Sequence, residues 1–137
     1  MVELKILEKV RKVLLADTTI KECVQDRIYT AHISTIKDPI YPAISLTLLT
    51  GQSRTNVPDM VNMAFQCDLW FPSAEYTVDE VGVYYARVRA LLHKQALSDT
   101  VIGVKIMQIF ESGIGPMMFD QGIPGHHLPA RYAAVGI

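Results

Sequence analysis

The sequence predicts an α+β fold in one domain, residues 1–137, built as an antiparallel sheet of four to five strands with two main helices packed on one face. Three features carry that expectation. Met63, Phe65, Cys67, Leu69 and Phe71 alternate with Asn62, Ala64, Gln66, Asp68 and Trp70, the period of two expected of a strand with one buried face. Two other segments repeat apolar residues at spacings of three and four, the stripe of an amphipathic helix. The remaining strand-like segments follow one another through short links, which favours antiparallel neighbours and leaves the helices to cover one side. A chain of 137 residues is long enough to bury one core, and no internal repeat or change of composition marks a second domain.

The first helix runs over residues 4–15. Leu4, Leu7, Val10 and Leu14 form its stripe, widened by Ile6 and Val13, while Glu8 and Lys12 stand four apart on the exposed side. Thr19 and Glu22 have capping-box spacing, predicting a short helical turn through Val24. A strand is expected at Arg27–His32, followed by a connection at Ser34–Pro42 that holds two prolines. Ala43–Leu49 reads as a strand that pairs with 63–71 in a hairpin, across a polar turn at Gly51–Met60. Thr77 and Glu80 make a second capping box and open the stronger helix, with Val78, Val81, Tyr85, Val88 and Leu92 on one face. Gly82 inside that helix costs about 1 kcal/mol against alanine, so a close packing contact is expected there. Val101–Glu111 is the next strand, with Ile102, Val104, Ile106 and Phe110 on one face, and Leu128–Ile137 the last.

Ser112–His127 differs from the rest. It carries four glycines and two prolines together with Met117, Met118 and Phe119. A long connection in a small domain tends to carry function, and adaptable Met and Phe side chains suit a docking surface. The alternative is that these side chains fold back over their own core.

Charge and composition exclude several classes. Thirteen basic and fourteen acidic residues leave a net charge of −1, without the basic excess that supplies most of the affinity of nucleic-acid binders. No apolar run reaches the length of a membrane span and the start lacks a signal peptide's apolar core, so the chain is expected to remain in the cytoplasm where it is made. Half of the residues are hydrophobic and the mean hydropathy is +0.20, a high value that fits either a rich core or apolar subunit interfaces. Cys23 and Cys67 read as two separate free thiols.

Catalytic patterns are weak. His126 and His127 are adjacent, so on a strand they point to opposite faces and do not share a metal. Gly113-Ile114-Gly115-Pro116 lacks the Lys-Ser/Thr of a phosphate loop, and Pro116 removes an amide donor. Asp68, Glu75, Asp79 and Glu80 cluster near one connection, but the last two are helix-start acids. No cofactor and no enzymatic activity are expected.

The residues do resemble a family. An opening helix at Leu4–Leu15, then Asp26-Arg27-Ile28-Tyr29 and Tyr41-Pro42-Ala43-Ile44-Ser45-Leu46, is similar to the tail-completion or tail-terminator proteins of long-tailed bacteriophages. The Phe65–Trp70 strand, the Val78–Leu92 helix and the Val104–Glu111 strand follow in the same order. The likeness covers most of residues 3–111. It implies a small α+β subunit that closes into a ring, typically a hexamer, which caps the tail tube, stops its polymerisation and meets the head's connector. The implied partners are further copies of the chain, the tail tube protein and a head-completion or connector protein. DNA would pass through the lumen without being held. The implied place is the tail or neck of a virion assembled in the host cytoplasm, with no membrane involved. Another neck adaptor, or a small α+β metabolic enzyme, are the competing readings. The segments expected to face partners are the Gly51–Asp59 turn, with Gln52, Arg54 and Asn56, and the 112–127 segment, with Met117, Met118, Phe119, His126 and His127.

Overall fold

A computed structural model describes residues 1–53, 60–119 and 125–137. It is an α+β fold with three helices, α1 (Val2–Ala16), α2 (Thr18–Val24) and α3 (Val78–Leu92), and seven strands. The strands are β1 (Ile28–Tyr29), β2 (Ala43–Ser53), β3 (Val61–Pro72), β4 (Leu97–Asp99), β5 (Val104–Ile114), β6 (Met118–Phe119) and β7 (Gly125–Gly136). Their order across the sheet is β1-β2-β3-β7-β5-β4, and β6 pairs with β7 beyond the end of β5.

The central alternation lies where the period of two puts it. Met63, Phe65, Cys67, Leu69 and Phe71 are buried in one cluster with Ile6, Leu7, Val10 and Leu14 of α1 and Val81, Val88 and Leu92 of α3. A slip of one residue in β3 would turn every one of these side chains away from the helices. The β2–β3 hairpin forms, with Ile44 opposite Leu69 and Leu46 opposite Cys67. The Thr77–Glu80 capping box opens α3 as expected.

The expected sheet of four to five antiparallel strands is corrected in number and direction. Segment 27–32 shrinks to the two residues of β1, which run parallel to β2 because the chain arrives from α2 at the same end of the sheet. His32 leaves the strand and instead caps a 3-10 turn at Ile33–Thr35, its Nδ1 accepting the Ser34 N–H. A short β4 at 97–99, invisible as periodicity because it has three residues, pairs with the start of β5.

Individual side chains are corrected too. Leu4 is exposed because it lies to the side of the face that Ile6, Leu7, Val10 and Leu14 bury, whereas Val2, earlier in the helix, packs against the core. Asp17, not Thr19, caps α2, its carboxylate accepting the Ile20 N–H at 3.2 Å. The register of β5 shifts between Ile106 and Gln108, so Ile109 turns inward and Phe110, expected in the core, faces outward. Ile102 lies in the β4–β5 turn and is half-buried. Gly82 has open space where a side chain would stand, so no close packing selects it. Val78 is exposed at the first turn of α3 and Tyr85 is half-buried.

The largest correction concerns 112–127. Much of it is strand: β5 continues to Ile114, β6 follows at 118–119 and β7 starts at Gly125. The kink between β5 and β6 stays tied to β7 through the Gly115 N–H, which donates to the Pro129 carbonyl at 2.9 Å. A side chain at Gly115 would stand 2.7 Å from Pro129 Cγ, which is why the chain can follow β7 closely only with glycine here. Gly125 takes a φ of +104° against Ser73, a backbone state closed to other residues. The two strands thus form an arm laid along the sheet.

Candidate assembly surface

The helices cover one face of the sheet. The other face is formed by the alternate residues of β2, β3, β7 and β5 and is covered by none of the three α-helices. Its centre is a polar and aromatic cluster built by cross-strand pairing. Ser45 stands opposite Asp68, and Trp70 opposite His127. The Trp70 and His127 rings stack with centroids 3.7 Å apart, nearly parallel, and His32 meets Trp70 edge-on. The Asp68 carboxylate accepts from His127 Nε2 at 2.6 Å and from Gln66 Nε2 at 2.9 Å. Trp70 Nε1 donates to Ser45 Oγ at 2.9 Å, and Arg131 Nε donates to Gln66 Oε1 at 3.3 Å.

These contacts seal Asp68. It is only 1% exposed although it lies on the helix-free face, because flat rings and the Gln66 amide lie over it. Its second oxygen and the nearby Thr47 hydroxyl are enclosed without a partner among the described residues. Sequence patterning placed Asp68 toward solvent and missed this enclosure. The available signal was Trp70, a large aromatic residue in the polar register of the strand.

Beside the cluster runs an open groove of about 530 Å³ between the arm and the sheet, lined by Gly113, Ile114, Pro116, Met118, Gln66 and Arg131 among others. Arg131 is the one ionisable side chain among its described lining residues. Burial holds the Cys23 and Cys67 thiols in the protonated form by raising them above the ordinary range, which removes their nucleophilicity. Among the described residues no group of three His, Cys, Asp or Glu is placed to hold a metal ion. None of their helices is long and apolar enough to cross a membrane.

The residues expected to face partners divide clearly. Gln52 is exposed near the end of β2, opposite Asn62. Arg54 and Asn56 lie outside the described residues. Met117 is half-buried and packs against the core, as the fold-back alternative holds. Met118 and Phe119 are 42% and 64% exposed, on β6. His126 turns toward the helices, where its Nε2 donates to the Tyr76 carbonyl at 2.9 Å, so it anchors the arm and offers little to a partner. His127 is held in the Asp68–Trp70 cluster. The adjacent histidines point to opposite faces, as strand geometry requires.

Other ionic contacts hold helices to sheet or to each other. Asp99 receives Lys12 Nζ at 2.8 Å and Lys9 Nζ at 3.4 Å, and also accepts the Val101 and Ile102 N–H groups, pinning the β4–β5 turn under α1. Lys12 above all holds the Asp99 carboxyl well below the usual carboxylate range. Asp17 is likewise lowered, chiefly by its hydrogen bonds from Arg87. Tyr85 donates to Glu111 at 2.5 Å, and its phenol is pushed up to about 12, mainly by burial.

No family model matches this chain, and no curated protein matches it in sequence. Among solved structures, it is similar to a chain of the virion of a native gene transfer agent (GTA) particle, with a TM-score of 0.69 over 98% of this chain and 96% of that chain. Identity between the two is 12%, so the likeness is one of fold. It extends over both chains almost from end to end, including the 112–137 region that the motif resemblance did not reach.

Proposed function

We propose that this chain is a structural subunit of a phage-like virion. Within that class, we read it as a tail terminator: a ring, typically of six copies, that caps the tail tube, stops its polymerisation and joins the tail to the head connector. The observation that carries the reading is the near end-to-end likeness of fold to a virion chain, which falls on the same element order that the sequence motifs share with tail-completion proteins. The surface is compatible with that role. The described groove residues bring together no acid–base pair, while exposed apolar side chains stand on the arm at Ile114, Met118 and Phe119. A net charge of −1 suits a lumen that passes DNA without retaining it.

The partner-facing residues in this reading are Met118 and Phe119 on the arm, with Gln52 near the end of β2, where residues 51–53 continue the strand that the sequence pattern ends at Leu49. Converting both Met118 and Phe119 to serine tests it. The variant is expected to keep most of its melting temperature, since Phe119 leaves most of its surface in water. It should fail to cap tails, giving overlong or headless tubes in assembly reactions. Normal capping by the variant, or absence of rings in negative-stain micrographs of wild-type chain mixed with tail tubes, would overturn the reading.

A further inference from the structure

The two lateral edges of the sheet are finished differently. On the β5 side the edge is closed from Val104 to Glu111. β4 pairs with Val104–Ile106, the Lys94 N–H donates to the Ile109 carbonyl at 2.7 Å, the Ile109 N–H donates to the Gln95 carbonyl at 3.1 Å, and the Glu111 N–H donates to His93 Nδ1 at 2.9 Å. Beyond Glu111, the outer edge of residues 112–119 has no backbone partner among the described residues. On the β2 side, β1 pairs only with Ile44 and Ser45, and residues 46–53 are bare on that edge among the described residues. Edge strands of monomeric proteins are usually guarded by a lysine, a proline or brevity. Leu46-Thr47-Leu48-Leu49-Thr50-Gly51-Gln52-Ser53 has no charge and no proline.

We propose that the bare edge of β2 pairs, antiparallel, with residues 112–119 of a second copy of this chain, so that the sheets run on from subunit to subunit. This rests on the ring reading above and names its contact. Four features of the fold support the choice of occupant. Each bare stretch is eight residues long and uncharged, although 112–119 is interrupted at 115–117, where Pro116 offers no N–H, so its pairing would rest on 112–114 and 118–119. They lie on opposite edges, so the contact is heterologous and can close into a ring. β2 runs opposite to β5 and β6 in the sheet, so copies related by rotation about a ring axis bring these strands together antiparallel.

The fourth feature is the offset between the stretches. Thr50 stands level with Ala133 through Ala64, whereas Gly115 bonds to Pro129. Four residues of β7 separate these levels, about 13 Å at ~3.3 Å per residue. From β2 across β3, β7 and β5 to the β2 of the next copy is four strand spacings, about 19 Å at ~4.8 Å each. That rise over that width is a strand tilt of about 35°, within the range closed sheets adopt. Laying 46–53 on 112–119 puts Gln52 opposite Gly113, both on the helix-free face, and brings Gln52 to the groove beside Gln66 and Arg131.

The test uses the full chain carrying Gln52→Cys and Gly113→Cys, with Cys23→Ser to remove the half-buried native thiol. Gly113 has open space for a side chain, and directly opposed antiparallel residues lie within disulfide reach. Mild oxidation, alkylation and then a non-reducing gel should give a ladder of covalent oligomers ending in one closed species, while each single variant stays unlinked. A covalent dimer from Gln52→Cys alone would mean that β2 pairs with itself, and would overturn the proposal. Rings seen by microscopy with no ladder would place the contact elsewhere, overturning this proposal and leaving the ring reading intact. Neither rings nor ladder would remove both. A second variant, Leu49→Lys, guards the bare edge with a charge at an exposed bulge position; it should abolish rings without moving the melting temperature, and rings that persist would count against the pairing.

Discussion

Tyr132 offers a test in which the structure reverses the usual direction of a core mutation. Its ring is fully buried and stacked on Phe65 at 5.4 Å, and its hydroxyl has no hydrogen-bond partner among the described residues. Burial raises the phenol far above its ordinary range, the mark of a polar group taken out of water. Enclosing a hydroxyl without a partner costs about 1–3 kcal/mol by comparison with mutational data. Tyr132→Phe removes that cost and leaves a gap the size of one oxygen, so a net gain of about 1–2 kcal/mol is expected. Unfolding entropy near 2.1 cal/mol/K per residue converts this to a rise in Tm of about 3–7 °C for a chain of 137 residues. Thermal melts followed by circular dichroism, with urea titrations to check that the m-value is unchanged, read the effect. A fall of 3 °C or more would refute the reasoning, because it would mean that the hydroxyl makes a bond worth keeping.

Two further outcomes follow from the polar contacts. His127→Ala leaves the Asp68 carboxylate without its closest donor and uncovers one face of Trp70, so urea denaturation should show a loss of about 2–4 kcal/mol, while Asp68→Asn, which can still accept from His127, should lose less. Asp17 and Asp99 have carboxyls lowered in the folded state by Arg87 and Lys12, so their contribution is full above the ordinary carboxylate range and is lost as pH falls through it toward the lowered folded values. Urea midpoints measured between pH 7 and pH 3 should therefore fall on acidification, and fall less in Asp17→Asn and Asp99→Asn; equal slopes in wild type and variants would contradict the assignment.

What the sequence made legible was whatever rests on periodicity over many residues. The α3 capping box and the β3 alternation stand as expected, and the α3 stripe holds at Val81, Val88 and Leu92, while Val78 is exposed and Tyr85 half-buried. Short or register-dependent features were hidden. β1 and β4 have too few residues to show a period, and the shift after Ile106 exchanges Phe110 for Ile109 in the core without altering composition. Segment 112–127 looked like loop because glycine and proline are turn residues, yet Gly115 and Gly125 permit a close approach and a backbone turn within an arm of strands. On the candidate surface, the sequence left open whether Met117, Met118 and Phe119 face out or fold back, and the structure divides them, Met117 packing inward and the other two exposed. The inward turn of His126 and the enclosure of His127 with Asp68 were not legible, because both depend on which residues β7 places opposite β3.

The asymmetry of the sheet edges bears on why a ring would form and not a fibre. Two sheets that met edge to edge at the same level would stack flat and could continue without limit, the arrangement that uncharged edge strands favour. Here the part of the β5 edge level with residues 48–53, most of the bare half of β2, is already occupied by β4, by His93 and by Lys94 and Gln95. The level contact is thereby blocked, and what remains open on that side, residues 112–119, lies about four residues further along. A neighbour can be added only with that stagger, which tilts the strands as closure demands. On this account β4 has a second role beyond covering the end of the core: by occupying one stretch of edge it selects the staggered partner over the flat one. Asp99 shares in that role, because its bonds to Lys9 and Lys12 keep β4 in place against α1. If the proposed pairing holds, the same carboxylate would link the acid stability of the subunit to the fidelity of its assembly.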